Sequence, residues 1–407
     1  PSYEGSFTGD DGSALWVVSL RDKAGPVGVR ASLSGSRRSE HQESGAFRLT
    51  ERDRYYQLRA EASVEPWPGV LVRGGGEGER RSALIKGALP QSRADLRPGA
   101  PATLFESRVR GDRWAAFGEI EWRAASALHV AAGLRRDAAT LSGDATWDPR
   151  MSTVVRLSEG VHLTGAWGIY HQVPSPLSYE PAVGDPSLPS MRSRHLVAGI
   201  VAEGEAGLLR VEAYQRRDSR LAQSDRSYNV AGGGDGRGRG VDVFVRGQGP
   251  LGLEGRASYS FIDAARTDPD TGRMATSPYE IRHALRLVLE RPFGARLRLG
   301  GTLRLATGRP YTPIVDAARE DTDIWVPVYG DPFSRRLPAY ARIDATGQYL
   351  QSFGGDDILV FFVSVTNLLD RENVAAMGYT DDYAETDPVP SAFRRTLYFG
   401  LSTTLPF

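Results

Sequence analysis

Residues 296 to 305 read RLRLGGTLRL. Leu297, Leu299, Gly301, Leu303 and Leu305 share one parity, and Arg296, Arg298, Gly300, Thr302 and Arg304 share the other. Successive side chains of a β-strand point to opposite faces, so this segment is a strand with one apolar and one cationic face. The same period of two runs through Leu251 to Phe261, where Leu251, Leu253, Gly255, Ala257, Tyr259 and Phe261 oppose Glu254, Arg256, Ser258 and Ser260. It returns in Leu209 to Tyr214 and in the closing positions Leu397, Phe399, Leu401, Thr403, Leu405 and Phe407. No amphipathic helix competes with it.

Reading outward from this segment predicts about seventeen strands. They start near Ala14, Val27, Tyr55, Val70, Arg113, Leu128, Trp147, Val161, Ser193, Leu208, Gly238, Leu251, Tyr279, Ala295, Ala339, Asp357 and Phe393. Most are expected to run about 9–13 residues, beyond the 5–6 usual for soluble strands and matched to the 9–11 that a tilted strand needs to cross a bilayer. The connections alternate. Short turns are expected at 22–26, 65–69, 124–127, 158–160, 203–207, 247–250, 291–294 and 352–356. Long loops are expected at 37–53, 74–111, 136–145, 172–192, 219–236, 264–278, 308–338 and 369–392. All long loops then leave one edge of the sheet and all short turns the other, which is the asymmetry of outer-membrane barrels. So many strands enclose a lumen too wide for side chains to fill, which places the polar face inside and the apolar face against lipid. A propeller would show a repeat of about 40–50 residues, and none is found.

Composition agrees by exclusion. The chain has 407 residues, Lys+Arg 50 against Asp+Glu 50, no cysteine and 40% hydrophobic residues. A neutral chain lacks the basic surplus that phosphate backbones demand, so no nucleic-acid partner is expected. Without cysteine there is no disulfide framework, thiol nucleophile or Cys-ligated metal. The longest apolar run, Ile358 to Val363, is far short of the roughly 20 residues of a membrane helix. His41, His129, His162, His171, His195 and His283 form no HExxH or i, i+4 pair. The glycine run 232–240 lacks the Lys-Ser/Thr of a phosphate loop and is expected to be a flexible outer loop. Asp268, Asp270 and Gly272 sketch half a calcium loop without its closing Glu. No Gly-x-Ser-x-Gly elbow is present, so neither enzyme activity, catalytic residues, metal nor cofactor is expected.

Toward the C-terminus the stretch VFFVSVTNLLDRENV and the ending RRTLYFGLSTTLPF resemble the last two strands of TonB-dependent outer-membrane receptors. Asn367, Leu368, Leu369 and Asp370, with terminal Phe407, carry the resemblance. Residues 167–188 followed by Arg192 to His195, then EIRHALR at 280–286 and GRPYTP at 308–313, are similar to that family's middle strands and loops in the same order. The resemblance implies an all-β fold, a transmembrane antiparallel up-and-down barrel with about 17 strands present of an expected 22. Residues 1–407 would then be a receptor-like barrel domain, N-terminally incomplete and without its plug. It further implies an outer-membrane location in a Gram-negative bacterium. The expected partners are outer-membrane lipid, a small-molecule or oligomeric ligand, the TonB complex acting through the missing plug, and the barrel-assembly machinery. Phe407, Leu405 and Phe399 would form the assembly signal, although an aromatic there also suits an interfacial girdle. Asn367 and Asp370 are equally turn formers by their own chemistry.

The implied function is active uptake of a scarce ligand such as a siderophore, vitamin or oligosaccharide, the alternative being a passive porin-like or adhesive barrel. Ligand contact is expected on the long loops, at Tyr311, Asp321, Asp323, Trp325, Tyr329, Tyr379, Asp381, Asp382 and Tyr383, where aromatics beside carboxylates suit a cationic chelate or a sugar. Loop-forming and girdle roles explain the same residues. Inward Arg296, Arg298 and Arg304 are expected to line the lumen.

Overall fold

The computed structural model describes residues 8–91, 97–226, 229–320, 324–352, 358–380 and 382–404. Seventeen long strands follow one another: β1 (Thr8–Ala24), β2 (Val27–Ser44), β3 (Phe47–Trp67), β4 (Val70–Pro90), β5 (Ala102–Ala125), β6 (Leu128–Ala139), β7 (Ala145–Ser158), β8 (Val161–Gln172) and β9 (Met191–Gly204). They continue with β10 (Gly207–Ser224), β11 (Val230–Gln248), β12 (Glu254–Thr267), β13 (His283–Phe293), β14 (Leu297–Ala306), β15 (Tyr340–Ser352), β16 (Ile358–Thr366) and β17 (Thr396–Thr404). Each pairs antiparallel with its neighbours in the chain, from β1–β2 through β16–β17. This is the up-and-down topology expected. Among the described residues, β1 and β17 each have a single strand neighbour.

The polarity is that of a membrane wall. On β3 the even positions Tyr56, Leu58, Ala60 and Ala62 are exposed, whereas Tyr55, Gln57, Arg59 and Glu61 are sheltered. Leu58 keeps 56% of its surface exposed while Glu77, on the inward face of β4, keeps 8%. In water this arrangement would forfeit the hydrophobic effect, and against lipid it costs nothing. On β5, Trp114 and Trp122 mark the two edges of the exposed apolar band, 65% and 53% exposed. Eight residues at about 3.4 Å each, tilted about 40°, give roughly 20 Å of height, close to the apolar band of outer-membrane barrels. Arg304 lies on the sheltered face opposite Arg286 and Arg342, 3.9 Å from Asp344. Arg298 and Arg296, near the short turn, are exposed.

Three expectations need correction. First, strands are longer than 9–13 residues on the long-loop side: β3 and β4 have 21 and β5 has 24. Most of the loops expected at 37–53, 74–111 and 219–236 is therefore paired strand, and β2 turns into β3 at Gly45 and Ala46 alone. Above the hydrocarbon the outer face turns polar at Arg52, Arg54, Arg108 and Arg110 while the inner face gains apolar residues such as Leu49 and Val109, so the expected alternation is lost while backbone pairing continues. Second, the glycine run 232–240 lies within β11, paired to β10 and β12. Third, the loops at 308–338 and 369–392 contain hairpins, Ile314–Glu320 with Ile324–Tyr329 and Val374–Tyr379 with Thr386–Pro390.

The glycines have a cross-strand purpose. The Tyr214 ring lies over Gly240, its register partner on β11. Trp16 covers Gly35 and Trp114 covers Gly78, each with ring atoms where a Cβ would stand. Phe117 covers Gly75 on the inner face. An aromatic shielding a glycine across a strand pair restores the packing the glycine lacks. A Cβ at Gly75 would meet the Phe117 ring at 2.7 Å as well as the Ala60 carbonyl. Gly75→Val is therefore expected to destabilise the wall by about 1–3 kcal/mol, the usual cost of overpacking. The check is a lower denaturant midpoint of the detergent-solubilised protein; an unchanged midpoint would refute the packing account.

Candidate functional site

Two regions combine shape with chemistry: the inner wall of β3–β8, and the loops at the long-loop edge. Inward parity brings Arg59, Glu77, Glu79, Arg113, Arg135 and Asp137 from four successive strands onto one patch. Glu77 accepts from Arg113 at 2.8 Å, Arg135 at 3.1 Å and Arg59 at 3.3 Å. Asp137 accepts from both Arg113 and Arg135 at 2.7 Å, and Arg113 also grips Glu79. The Arg59 guanidinium stacks 4.7 Å from the Phe117 ring centre. Glu77 is the buried member at 8% exposed, and a buried carboxylate persists as a charge only when paired in this way.

Toward the long-loop edge the inner face turns apolar. Ala83, Ile85, Leu89 and Phe105 form a small core with Val183, and Leu177 packs against it. Residues 173–190 thus fold inward across the mouth instead of projecting outward. A 3-10 turn at Pro176–Tyr179 shapes this loop, and the Tyr179 hydroxyl donates to the Leu188 carbonyl at 3.2 Å. Burial pushes the Tyr179 phenol well above its ordinary range. Asp144 holds the loop's far end by accepting from the Ser190 amide at 3.1 Å and hydroxyl at 2.8 Å. Beneath the loop opens a cavity of about 340 Å³, lined by Tyr55, Glu79, Arg81, Asp137, His171 and Ser190 among others. His171 is fixed to Asp148 through a 2.6 Å Nδ1 contact. That volume lies at the small end of ligand pockets. Sequence reading missed this cluster, although matching parity on consecutive strands would have aligned its charges.

The loop residues expected to meet ligand fall into two groups. Tyr329 and Tyr379 come together: the Ile314 amide donates to the Tyr379 hydroxyl at 3.1 Å, and Ile314 pairs with Tyr329 across the hairpin. Arg226, from the loop between β10 and β11, covers the Tyr329 ring at 4.1 Å and pairs with Asp270 at 3.6 Å. Tyr379 and Tyr383 stand with ring centres 6.3 Å apart. Asp382 accepts from the Thr380 hydroxyl at 2.7 Å and the Ala384 amide at 3.0 Å, which holds its carboxyl below the usual range. Trp325 lies on the 314–329 hairpin, and Tyr311 pairs with Arg335. Asp321, Asp323 and Asp381 lie outside the described residues, as do Leu405 and Phe407 of the expected assembly signal. Phe399 is 79% exposed on β17.

The family-like motifs are latches. Asn367, 1% exposed and at φ 51°, donates from Nδ2 to the carbonyls of Arg371 and Phe393, both at 3.0 Å. Its Oδ1 accepts the Arg371 amide at 3.2 Å and its own amide donates to Asp344 at 2.8 Å. Asp370 accepts the Arg395 amide at 2.9 Å and pairs with Arg394, which holds its carboxyl below the ordinary range. Leu368 and Leu369 are exposed beside them. Glu280, 1% exposed, accepts from the Ala264 amide at 2.7 Å and binds Arg336, whose guanidinium also reaches the Gly308 carbonyl at 3.2 Å. Asp268 is occupied by Thr271, and among the described residues no group of three or more carboxylates and imidazoles could hold a metal ion.

The family described as "TonB dependent receptor-like, beta-barrel" matches residues 2–368. Among solved structures, the ferric-catecholate import receptor Fiu of Escherichia coli aligns with a TM-score of 0.68 at 13% identity, covering 97% of this chain and 64% of that one. The ferric enterobactin receptor of Pseudomonas aeruginosa, in a mutant form, aligns with a TM-score of 0.73 at 14% identity, covering 98% and 62%. The copper transporter OprC aligns with a TM-score of 0.66 at 16% identity, covering 98% and 65%. At such identities the likeness is one of fold. The chain spans somewhat under two thirds of the length of these receptors. No curated protein matches the sequence.

Asn367→Ala would leave buried carbonyls and an amide unpartnered, at a cost of about 1–3 kcal/mol. Faster limited proteolysis within residues 371–393 is the expected result. Acidification works in the same direction through Asp370. A carboxyl with a depressed folded pKa stabilises above its unfolded value, and that contribution is lost as pH falls through the folded value.

Proposed function

We propose that this chain, which belongs to the TonB-dependent receptor-like β-barrel family and resides in the outer membrane of a Gram-negative bacterium, is the wall of an active-transport receptor. Its ligand would be scarce and delivered from outside, of the class of a metal chelate, vitamin or oligosaccharide. The energy would come from the TonB complex acting on a plug within the lumen. The observation that carries this reading is the paired-charge inner wall below a mouth partly covered by residues 173–190. Such a wall offers many exchangeable ionic partners to a polar occupant of the lumen. The loops carrying Tyr329 and Tyr379, latched to their neighbours by Arg226 and Ile314, would form the capture rim. Tyr311, Trp325, Asp382 and Tyr383 lie on the same edge and are the further candidates for ligand contact. Barrel-assembly machinery and surrounding lipid are the remaining partners of this reading. It assigns no catalytic step to the chain.

A passive or adhesive barrel is the rival. Uptake of candidate ligands, beginning with ferric catecholates, is to be measured in a deletion strain carrying the gene with or without a functional TonB complex. Uptake restored only when the complex is intact is the expected outcome. Uptake indifferent to the complex would transfer the chain to the passive class.

A further inference from the structure

The net charge of the chain is zero, yet its charges are not evenly spread. Two groups of exposed arginines stand on the outward face just above the apolar band, among the described residues without carboxylate partners. Arg194 on β9 is the register partner of Arg217 on β10, which in turn faces Arg237 on β11. All three side chains are exposed. Directly opposed residues on paired strands stand about 4.5–5.5 Å apart, and like charges so placed repel. No ion pair relieves them among the described residues. Asp263, one rung below, is engaged by Arg239 at 3.0 Å, and the exposed Asp235 lies two residues along β11 from Arg237 without an ion pair to the row among the described residues.

The row sits at a defined level. Below it along the outward face of β9 come Leu196, Ala198 and Ile200, and below Arg217 on β10 come Ala213, Val211 and Leu209 beyond the single polar Gln215. Leu196 and Ile200 are 51% and 38% exposed. The arginine row therefore begins about one rung above the hydrocarbon-facing surface, in the headgroup layer that flanks the core by roughly 5–8 Å on each side. A second patch stands at a comparable level. On the outward faces of β2, β3 and β5, Arg37 opposes Arg54, and Arg52, Arg108 and Arg110 follow, all exposed and, among the described residues, without carboxylate partners. Tyr56 and Trp114 lie beneath them, while Arg80, Lys86 and Arg48 nearby are each paired with a carboxylate.

We propose that the Arg194–Arg217–Arg237 row binds the phosphate groups of a phosphorylated lipid in the outer leaflet, with the Arg37–Arg54 patch as a second contact of the same kind. Guanidinium groups meet phosphate through paired N–H donors, and one phosphate can bridge neighbouring arginines whose mutual repulsion it cancels. Continuity with the apolar band identifies the source as a lipid: its chains lie on Leu196 and Ile200 while its headgroup reaches the arginines.

The test uses the protein extracted from outer membranes in detergent and offered diphosphorylated lipid A or the same lipid with its phosphates removed, with retention read by native mass spectrometry. Wild type should retain the phosphorylated form at least about tenfold better, since each arginine adds attraction at a charged lipid surface. Arg194→Gln, Arg217→Gln and Arg237→Gln together should abolish most of that preference, the corresponding lysine variants should keep part of it, and Arg217→Gln alone should give an intermediate loss. Heat-dependent electrophoretic mobility confirms the fold of each variant. Equal retention of the two lipids by wild type, an undiminished preference in the glutamine variants, or displacement of the lipid by equimolar inorganic phosphate would each overturn the proposal.

Discussion

Inside a bilayer no water is available to a backbone N–H or C=O, and a strand satisfies these groups only by pairing on both sides. That constraint organises this chain. It explains why seventeen strands pair in strict sequence, why the pairing is antiparallel throughout, and why short turns and long connections alternate between the two edges. In β2 to β16, which have a neighbour on both sides, the backbone is satisfied by geometry and side chains are free to divide by parity. Leu58, Ile120 and Trp122 then stand exposed without penalty, while Glu77, Arg135 and Asp137 are sheltered.

Sheltering charge sets a second demand. Glu77 sits among three arginines from three different strands, so the ionic patch forms only when β3, β4, β5 and β6 are in register. A slip of one residue would turn these charges toward lipid, so the network specifies register as well as filling the wall. At the rim the demand changes again. Loops there are held by local latches, Asn367 on Arg371 and Phe393, Glu280 on Arg336, Arg226 on Tyr329, and their anchoring does not depend on the membrane.

Much of the fold was legible because alternation is a direct imprint of two unlike solvents on the two faces of a strand. The seventeen long strands overlap the segments expected, and on β3 and β5 the polar face is the sheltered one, whereas β1 is exposed on both faces. Strand ends were not legible. From Arg48 to Arg54 and from Arg108 to Arg113 the outer face is charged and the inner face is mixed, Leu49 and Val109 standing beside Glu51, Asp53 and Arg113, so a sequence rule tuned to an apolar outer face sees a loop where pairing persists. Glycines 232–240 misled for a different reason: composition suggests a loop, but Gly240 leaves room for Tyr214 from the neighbouring strand, a contact that no single segment displays. The candidate site was less legible still. The neighbourhood of Tyr329 and Tyr379 is built from loops far apart in sequence, and the inward fold of residues 173–190 depends on Ile85 and Phe105 from β4 and β5.

The central claim is that apolar and polar faces meet lipid and lumen respectively. Ala115 and Ala116 on β5 test it with little perturbation, since both are alanines between Trp114 and Trp122 and point to opposite faces. Spin labels attached to cysteines introduced at each position, in protein reconstituted into bilayers, would be probed with oxygen and with a water-soluble paramagnetic complex. The account predicts that the label at 116 favours oxygen and the label at 115 the aqueous reagent. Equal accessibility at the two positions, or the reverse order, would contradict it.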